Sequence, residues 1–264
     1  MQSFAANNNH LIHYWVDFGT ESIDFTLGQA KIYAAFPNAR MIVSPSKLKK
    51  GNVQAQSIYL KQFIDQFPPN TIHICHLSFH SSQTKRFVIT QINDQYLVGP
   101  DNGFFHLTIG NELHKSFILP VDKFKNNSLT EVYLPGIQMA IDGNFDLANI
   151  FKEKSIMVKS NMMQPTISGN IVRLTVLYND HNGNAFFNLD KADFEMLRKN
   201  RNFILRNHTF KLNRIYEDYD DVPEGEALCL FTYGNVLQVA QNAGNAADLL
   251  GLNTDSFAIL EFFE

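Results

Sequence analysis

An α/β domain followed by a smaller, mostly β domain is the fold class this sequence predicts, and three observations predict it. Apolar runs of strand length alternate with stretches of helical length from Leu11 to about Phe79, the rhythm of a mainly parallel sheet with flanking helices. From Ile171 onward the chain reads instead as closely spaced apolar runs separated by turn residues, the pattern of strands joined in hairpins. Between these textures lies a polar stretch, Lys152 to Gly169, which holds Met and one Pro. At 264 residues the chain is long enough for two domains with their own cores. The boundaries are residues 1–10 as a polar lead-in, 11–160 as the α/β domain and 161–264 as the β-rich domain.

Taken in order, Leu11 to Val16 is a buried strand and Ile23 to Phe36 the helix after it. Asp17 therefore stands at the carboxyl end of a strand, where open α/β sheets bind ligands. A strand over Arg40–Ser44, a helix from about Val53 to Phe67 and a strand from Thr71 to Phe79 continue the alternation, with Pro68-Pro69-Asn70 ending the second helix. Short strands follow at Arg86–Ile92, Gln95–Val98 and Phe104–Ile109, and a helical pattern runs from Ser128 to Phe151 with a break at Gly143. In the second domain the expected strands are Ile171–Tyr178, Asn184–Leu189, Phe203–Phe210, Ala227–Thr232, Val236–Gln241 and Ser256–Phe263.

Composition excludes several function classes. Lys+Arg 22 against Asp+Glu 26 leaves a formal charge of -4, so the chain carries no basic excess for nucleic acid. Cys75 and Cys229 lie far apart without metal-type or redox-type spacing, and both are expected as buried free thiols in a reducing cytoplasm. No apolar run reaches membrane-span length, and the N-terminus lacks the pattern of an export signal. No membrane partner, no metal and no separate cofactor are expected, and the expected location is cytoplasmic. His76 and His80, on one face of a strand, would stand roughly 13 Å apart, too far to share one zinc ion.

Several turns carry polar groups that a turn alone does not need. Tyr178-Asn179-Asp180-His181-Asn182-Gly183-Asn184 joins two apolar runs, and Asn182-Gly183 matches a type I′ hairpin turn with two positive φ angles. Asp180 and Asn184 flank that turn with a carboxylate and an amide, groups that can read the edges of a polar ligand. Thr232-Tyr233-Gly234-Asn235 is a turn entering the strand at Val236. Asn242-Ala243-Gly244 then leads to an Asn245 N-cap, a short helix and a Gly251 stop. Asp218-Tyr219-Asp220-Asp221 reads as a solvated hairpin loop, and Ser46 to Gly51 as a basic loop.

Together, and in this order, four segments resemble the S-adenosyl-L-methionine (SAM) hydroxide adenosyltransferase family, which also contains fluorinases and chlorinases. They are Val16-Asp17-Phe18-Gly19-Thr20 with Gly28 and Lys31; Val98-Gly99-Pro100-Asp101-Asn102-Gly103; Asp180 to Asn184 with Asn188; and Leu237 to Ala240 running through Asn245-Ala246-Ala247 to Leu250-Gly251. The resemblance implies a homotrimer with each site between the N-terminal domain of one subunit and the C-terminal domain of the next. It implies Asp17 on the ribose hydroxyls, Asn184 and backbone near Ala243 on adenine, Asp180 facing the methionine ammonium, and the Tyr233-Gly234 turn on the methionine carboxylate. The implied reaction is in-line displacement at ribose C5′, with SAM as substrate or ligand.

The water-handling side departs from the family pattern. Family hydrolases place an Asp, an Arg and a His around one water, whereas the matching positions here are Ser78, then Lys85 or Arg86, and the region of Ser128. A rebuilt water site would draw on Ser78, His80, Lys85 and Ser128, with His76 or His80 beside Ser78 as the base. The tyrosine that halogenases carry at the Ser78 position is absent too, so halide chemistry gains no support. Three readings follow: a SAM hydrolase yielding adenosine and methionine, a SAM or adenosine binder without turnover, and a structural trimer.

Overall fold

The computed structural model describes residues 10–44, 48–77, 86–109, 116–120, 128–151 and 158–264. Two compact units lie within Met1–Val53 with Asp65–Ser160, and within Gln54–Ile64 with Asn161–Glu264. The first half contains β1 (Leu11–Val16), α1 (Ile23–Ala35), β2 (Arg40–Ser44), α2 (Val53–Lys61), β3 (Ile72–His76), β4 (Phe87–Ile92), β5 (Gln95–Pro100), α3 (Phe104–Ile109), β6 (Ser116–Ile118), α4 (Leu134–Asp142) and α5 (Leu147–Ile150). Its sheet has the order β2-β1-β3-β5-β4-β6. The first four strands of that order run parallel, and β4 and β6 add antiparallel pairings. This is the mainly parallel α/β unit expected from the alternation of strands and helices.

Ile12, Tyr14 and Val16 on β1 join Ile72 and Ile74 on β3 in a core closed by Phe25 and Ile32 of α1. The alternation of side chains along a strand sends His13 and Trp15 to the opposite face, where they are also fully buried. Ser22 caps α1 by accepting the Phe25 N–H at 3.3 Å, and Gly19 takes φ +85° in the turn before it. Gly99 in β5 is required by close approach, because a Cβ there would lie 2.7 Å from the Cys75 carbonyl oxygen.

A polar chain crosses the parallel strands on that second face. Ser44 (β2), His13 (β1), His73 (β3) and Gln95 (β5) follow the strand order, with His13 Nε2 to Ser44 Oγ 2.7 Å, His13 Nδ1 to His73 Nδ1 2.9 Å and His73 Nε2 to Gln95 Oε1 2.6 Å. Gln95 Nε2 donates to the Phe67 carbonyl at 3.0 Å, which turns its Oε1, an acceptor only, toward His73. His73 Nε2 must therefore carry a proton. Burial pushes His13 down to about 3 and His73 to about 4, so both rings are neutral near pH 7. Neutral His73 accepts at Nδ1 from His13 Nδ1–H, and His13 Nε2 accepts the Ser44 hydroxyl proton. The direction of the whole chain is set by one amide.

One expected strand is a helix. Phe104-Phe105-His106-Leu107-Thr108-Ile109 is rich in residues that favour strands, yet it forms α3. Asn102 Oδ1 accepts the Phe104 N–H at 3.1 Å as a local cap, Gly103 takes φ +92°, and Thr108 Oγ1 donates back to the Phe104 carbonyl at 2.8 Å. Capping chemistry and burial of Phe104, Phe105 and Leu107 outweigh intrinsic preference. The expected helix to Phe67 also shortens: α2 ends at Lys61, and a 3-10 turn follows at Ile64–Gln66.

The second half contains β7 (Thr166–Ser168), β8 (Ile171–Asn179), β9 (Ala185–Asp190), α6 (Lys191–Arg198), β10 (Asn202–Arg206), β11 (Lys211–Leu212), β12 (Ile215–Tyr216), β13 (Ala227–Phe231), β14 (Val236–Gln241), α7 (Ala246–Leu249) and β15 (Phe257–Phe263). Its strands run β11-β10-β15-β8-β9-β14-β13-β12, with β7 beside β8. The expected strand over Phe203–Phe210 divides, because Asn207 Oδ1 accepts the Thr209 and Phe210 N–H groups at 2.8 and 3.1 Å and turns the chain between β10 and β11. The sequence reading places no element at α6; there Asp190 accepts the Asp193 N–H at 2.8 Å as N-cap and Phe194 is fully buried in the second core. The second unit also takes in most of α2, where the Tyr59 ring meets Tyr178 edge-on at 6.4 Å. Cys75 and Cys229 are both free and buried.

Candidate functional site

Among the described residues, each unit holds a polar cleft. In the first, Phe18, Asp24, Gly28, Lys31, Lys50 and His76 line a cavity of about 270 Å³ at the carboxyl ends of β1 and β3. Asp17, the residue before Phe18, is only 4 % exposed, and its Oδ2 accepts the Gly51 N–H at 3.1 Å, so the carboxylate fastens the basic loop. His76 pairs in register with Val16, and its Nδ1 lies 3.1 Å from the Tyr14 hydroxyl. Burial pushes the imidazole down to about 4 despite the nearby Asp17 and Asp24 carboxylates. Gly28 is fixed by the same tyrosine, since a Cβ would fall 2.2 Å from the Tyr14 oxygen.

The second cleft, about 430 Å³, is lined by Asp180, Asn182, Asn184, Tyr219, Gln241 and Ala243 among others. Two separate stretches of sequence form most of it. The β8–β9 loop differs from the expected type I′ turn: Asp180 N–H donates to the Asn184 carbonyl at 3.1 Å, Gly183 N–H to the Asp180 carbonyl at 3.2 Å, and the positive φ falls on Gly183 (+81°), not on Asn182. This is the three-residue hairpin in which a glycine follows an ordinary turn. The carboxylate decides the choice. Asp180 Oδ1 accepts the N–H groups of Asn182 and Asn184, both at 2.9 Å, and Oδ2 accepts Asn184 Nδ2 at 2.8 Å.

The facing stretch is held as tightly. Ala243 takes φ +51°, a left-handed conformation costly for a residue with a Cβ, and Asn245 caps α7 by accepting the Asp248 N–H at 3.1 Å. Ala247 N–H donates to the Gly183 carbonyl at 2.9 Å, which joins the two stretches. A Cβ on Gly183 would lie 1.9 Å from Asn245 Oδ1. Gly183→Ala is therefore expected to cost at least about 1–2 kcal/mol of stability, measured as a lowered denaturant midpoint with unchanged slope.

Tyr219, like Gln241, is a cleft residue that sequence reading missed. Its loop does form a turn of the kind expected for a solvated hairpin, with Asp218 and Asp221 making a capping box, but that box aims an aromatic ring at the cleft. Gln238 Nε2 donates to the Tyr219 hydroxyl at 2.9 Å. The one signal in the sequence is an aromatic residue inside an acidic loop.

The other expected residues fall elsewhere. Tyr233 is 90 % exposed at its turn, and the Gly234 N–H donates to Gln62 Oε1 at 3.2 Å; neither lines the second cleft. Ser78, His80 and Lys85 lie outside the described residues. Ser128 is half-buried at the start of the turn that leads into α4. Arg86 donates from Nε to Asp101 Oδ2 at 2.7 Å, and Asp101 Oδ1 accepts the Val158 N–H at 2.8 Å, so the Val98–Gly103 motif serves to tie chain segments together. No group of three or more His, Cys, Asp or Glu among the described residues could hold a metal ion. No helix among them is long and apolar enough to cross a membrane.

A mainly parallel α/β unit with a carboxylate at a strand's end, followed by a β-rich unit with an amide-lined cleft, defines a two-domain protein with a polar cleft in each unit. The model of the SAM hydroxide adenosyltransferase N-terminal domain matches residues 12–161, and that of the C-terminal domain matches residues 174–257. The chain belongs to that family. Its fold is also similar to that of an uncharacterized conserved protein from Thermotoga maritima, at 20% identity with a TM-score of 0.77 over 94% of this chain and 99% of that one. A conserved hypothetical protein from Thermus thermophilus is similar at 19% identity, with a TM-score of 0.69 over 96% and 100% of the two chains.

Proposed function

We propose that this protein binds S-adenosyl-L-methionine through its adenosyl part and hydrolyses it to adenosine and methionine. The observation that carries the reading is the second cleft, in which Asn184 and Ala243, distant in sequence, line one small polar cavity. Asp17, nearly buried at the carboxyl end of β1, supplies a carboxylate suited to paired hydroxyl donors such as those of a ribose. The family resemblance supports completing each site between subunits of a homotrimer, Asp17 from one and Asn184 from the next. Light scattering is expected to give three times the chain mass of 30.1 kDa.

In the reaction a water oxygen attacks C5′, the C5′–S bond breaks, and its electron pair goes to sulfur, which leaves as a neutral thioether. The oxygen then loses one proton to solvent. A sulfonium leaving group needs no general acid, so the protein's task is to align water with the C5′–S bond and exclude bulk solvent. A second reading, binding without turnover, is favoured by one specific feature: serine stands at position 78 and in the region of 128 where family hydrolases place Asp and His. Incubating purified protein with SAM and chromatographing the products decides between them. Saturable release of adenosine is expected; binding with no product leaves the second reading, and no binding of SAM or adenosine removes both.

A further inference from the structure

We propose that Asp180 is a positioning residue for base recognition: it fixes which end of the Asn184 amide faces the cleft, and that fixed amide selects a 6-aminopurine over a 6-oxopurine. The inference rests on the adenosyl-ligand reading and names what sets its specificity.

An asparagine side chain presents a carbonyl or an amino group depending on a rotation of half a turn, and the two ends call for opposite partners. At Asn184 the choice is forced. A carboxylate only accepts, so Nδ2 is the end turned to Asp180 Oδ2, at 2.8 Å. The carboxylate is itself held by the loop backbone, with the Asn182 and Asn184 N–H groups on Oδ1, and it cannot swing away without opening the hairpin. Asn184 Oδ1 remains as the acceptor of a side chain that is 5 % exposed and lines the cleft. Among the described residues no protein donor meets it.

A nearly buried amide oxygen without a donor favours a ligand N–H and disfavours a ligand carbonyl. The exocyclic amino group of adenine supplies that N–H. A 6-oxopurine places an oxygen there instead, so two acceptors would face each other. Ala243 adds the complementary group: its N–H has no acceptor among the described residues, and it lines the same cleft in a left-handed conformation. One acceptor and one donor match a purine edge on which an amino group stands beside a ring nitrogen, the arrangement at both N6/N1 and N6/N7 of adenine.

The test is calorimetric binding of adenosine, inosine and SAM to the wild-type protein and to Asp180→Asn. In the variant, the new Oδ1 keeps the two backbone bonds of the loop, while the new Nδ2 replaces Oδ2 opposite Asn184. Asn184 then turns over and shows its amino group to the cleft. Wild-type protein is expected to bind adenosine about tenfold or more tightly than inosine, and in Asp180→Asn the adenosine-to-inosine ratio should fall by at least a similar factor. A merely structural residue would weaken both nucleosides alike and leave the ratio unchanged, which would overturn the proposal. So would weakened SAM binding with both nucleosides unaffected, the signature of a carboxylate that faces the ligand's ammonium. If Asp180→Asn fails to fold by circular dichroism, Asn184→Leu serves instead: loss of the adenosine preference supports the assignment, and its persistence overturns it. A wild-type protein that binds none of the three ligands defeats the adenosyl-ligand reading and this inference with it. One that binds adenosine and inosine equally defeats this inference alone.

Discussion

Acidification from pH 7 to pH 4 is expected to lower the unfolding free energy by several kcal/mol, mostly through His13 and His73. Both imidazoles are fully buried, and their folded values of about 3 and about 4 lie below the roughly 6.5 of an unfolded histidine. Between those limits the unfolded chain binds protons that the folded chain refuses, so stability falls as pH falls. It is fully present above about 6.5 and is lost as pH drops toward the folded values. At about 1.4 kcal/mol per unit, His73 alone contributes on the order of 3 kcal/mol. The structural reason is the one-directional chain from Ser44 to Gln95: a proton added to His73 Nδ1 sets two N–H donors against each other at the His13–His73 contact. Denaturant titrations at pH 7, 6, 5 and 4 measure the slope, and the double variant His13→Phe/His73→Leu should flatten much of it. The depressed His76 leaves a remainder. An unchanged slope in the double variant would show that the pair is not the acid-sensitive element.

Asp17→Ala is expected to weaken adenosine and SAM binding by about 1.5–3 kcal/mol, the range for losing hydrogen bonds to a charged group, or roughly 10- to 150-fold in Kd. Removing the carboxylate also releases the Gly51 N–H and so loosens the basic loop, a second route by which a ligand would be weakened. Asp17→Asn separates the two effects, because its carbonyl still accepts from Gly51 while the charge and one acceptor are gone. If Asp17→Asn binds like wild type and only Asp17→Ala fails, the carboxylate serves the loop. If both lose affinity, it serves the ribose. Unchanged affinity in Asp17→Ala would remove Asp17 from the site.

Much of the fold is legible because local signals agree with the tertiary outcome. The strands β1, β2, β8 and β9 and the helices α1 and α7 carry apolar runs, caps and stops that all point one way, as at Ser22 for α1 and Asn245 for α7. Where signals conflict, the sequence misleads. Phe104–Ile109 carries strand-favouring side chains but a helix-favouring cap, and the packing of its aromatic rings settles the conflict. At Asn182-Gly183 the familiar dipeptide points to one turn, while Asp180, by gathering two backbone N–H groups, imposes another. In both cases the deciding interaction lies in flanking residues whose effect depends on three-dimensional placement.

The sequence alone determined the family, the order of domains and the residue types that a ligand could meet: a carboxylate at a strand's end and an Asp–Asn pair around a turn. These follow from periodicity and turn chemistry, which are local and leave a linear trace. Only the tertiary structure decided which groups remain available. It showed the Asp180 carboxylate engaged by its own loop, the Asn184 amide nitrogen turned to that carboxylate, Tyr219 brought to the cleft from an acidic turn, and a hydrogen-bonded chain threading four strands in sheet order. Availability is a matter of which partners are already taken, and those partners come from residues far apart in the chain.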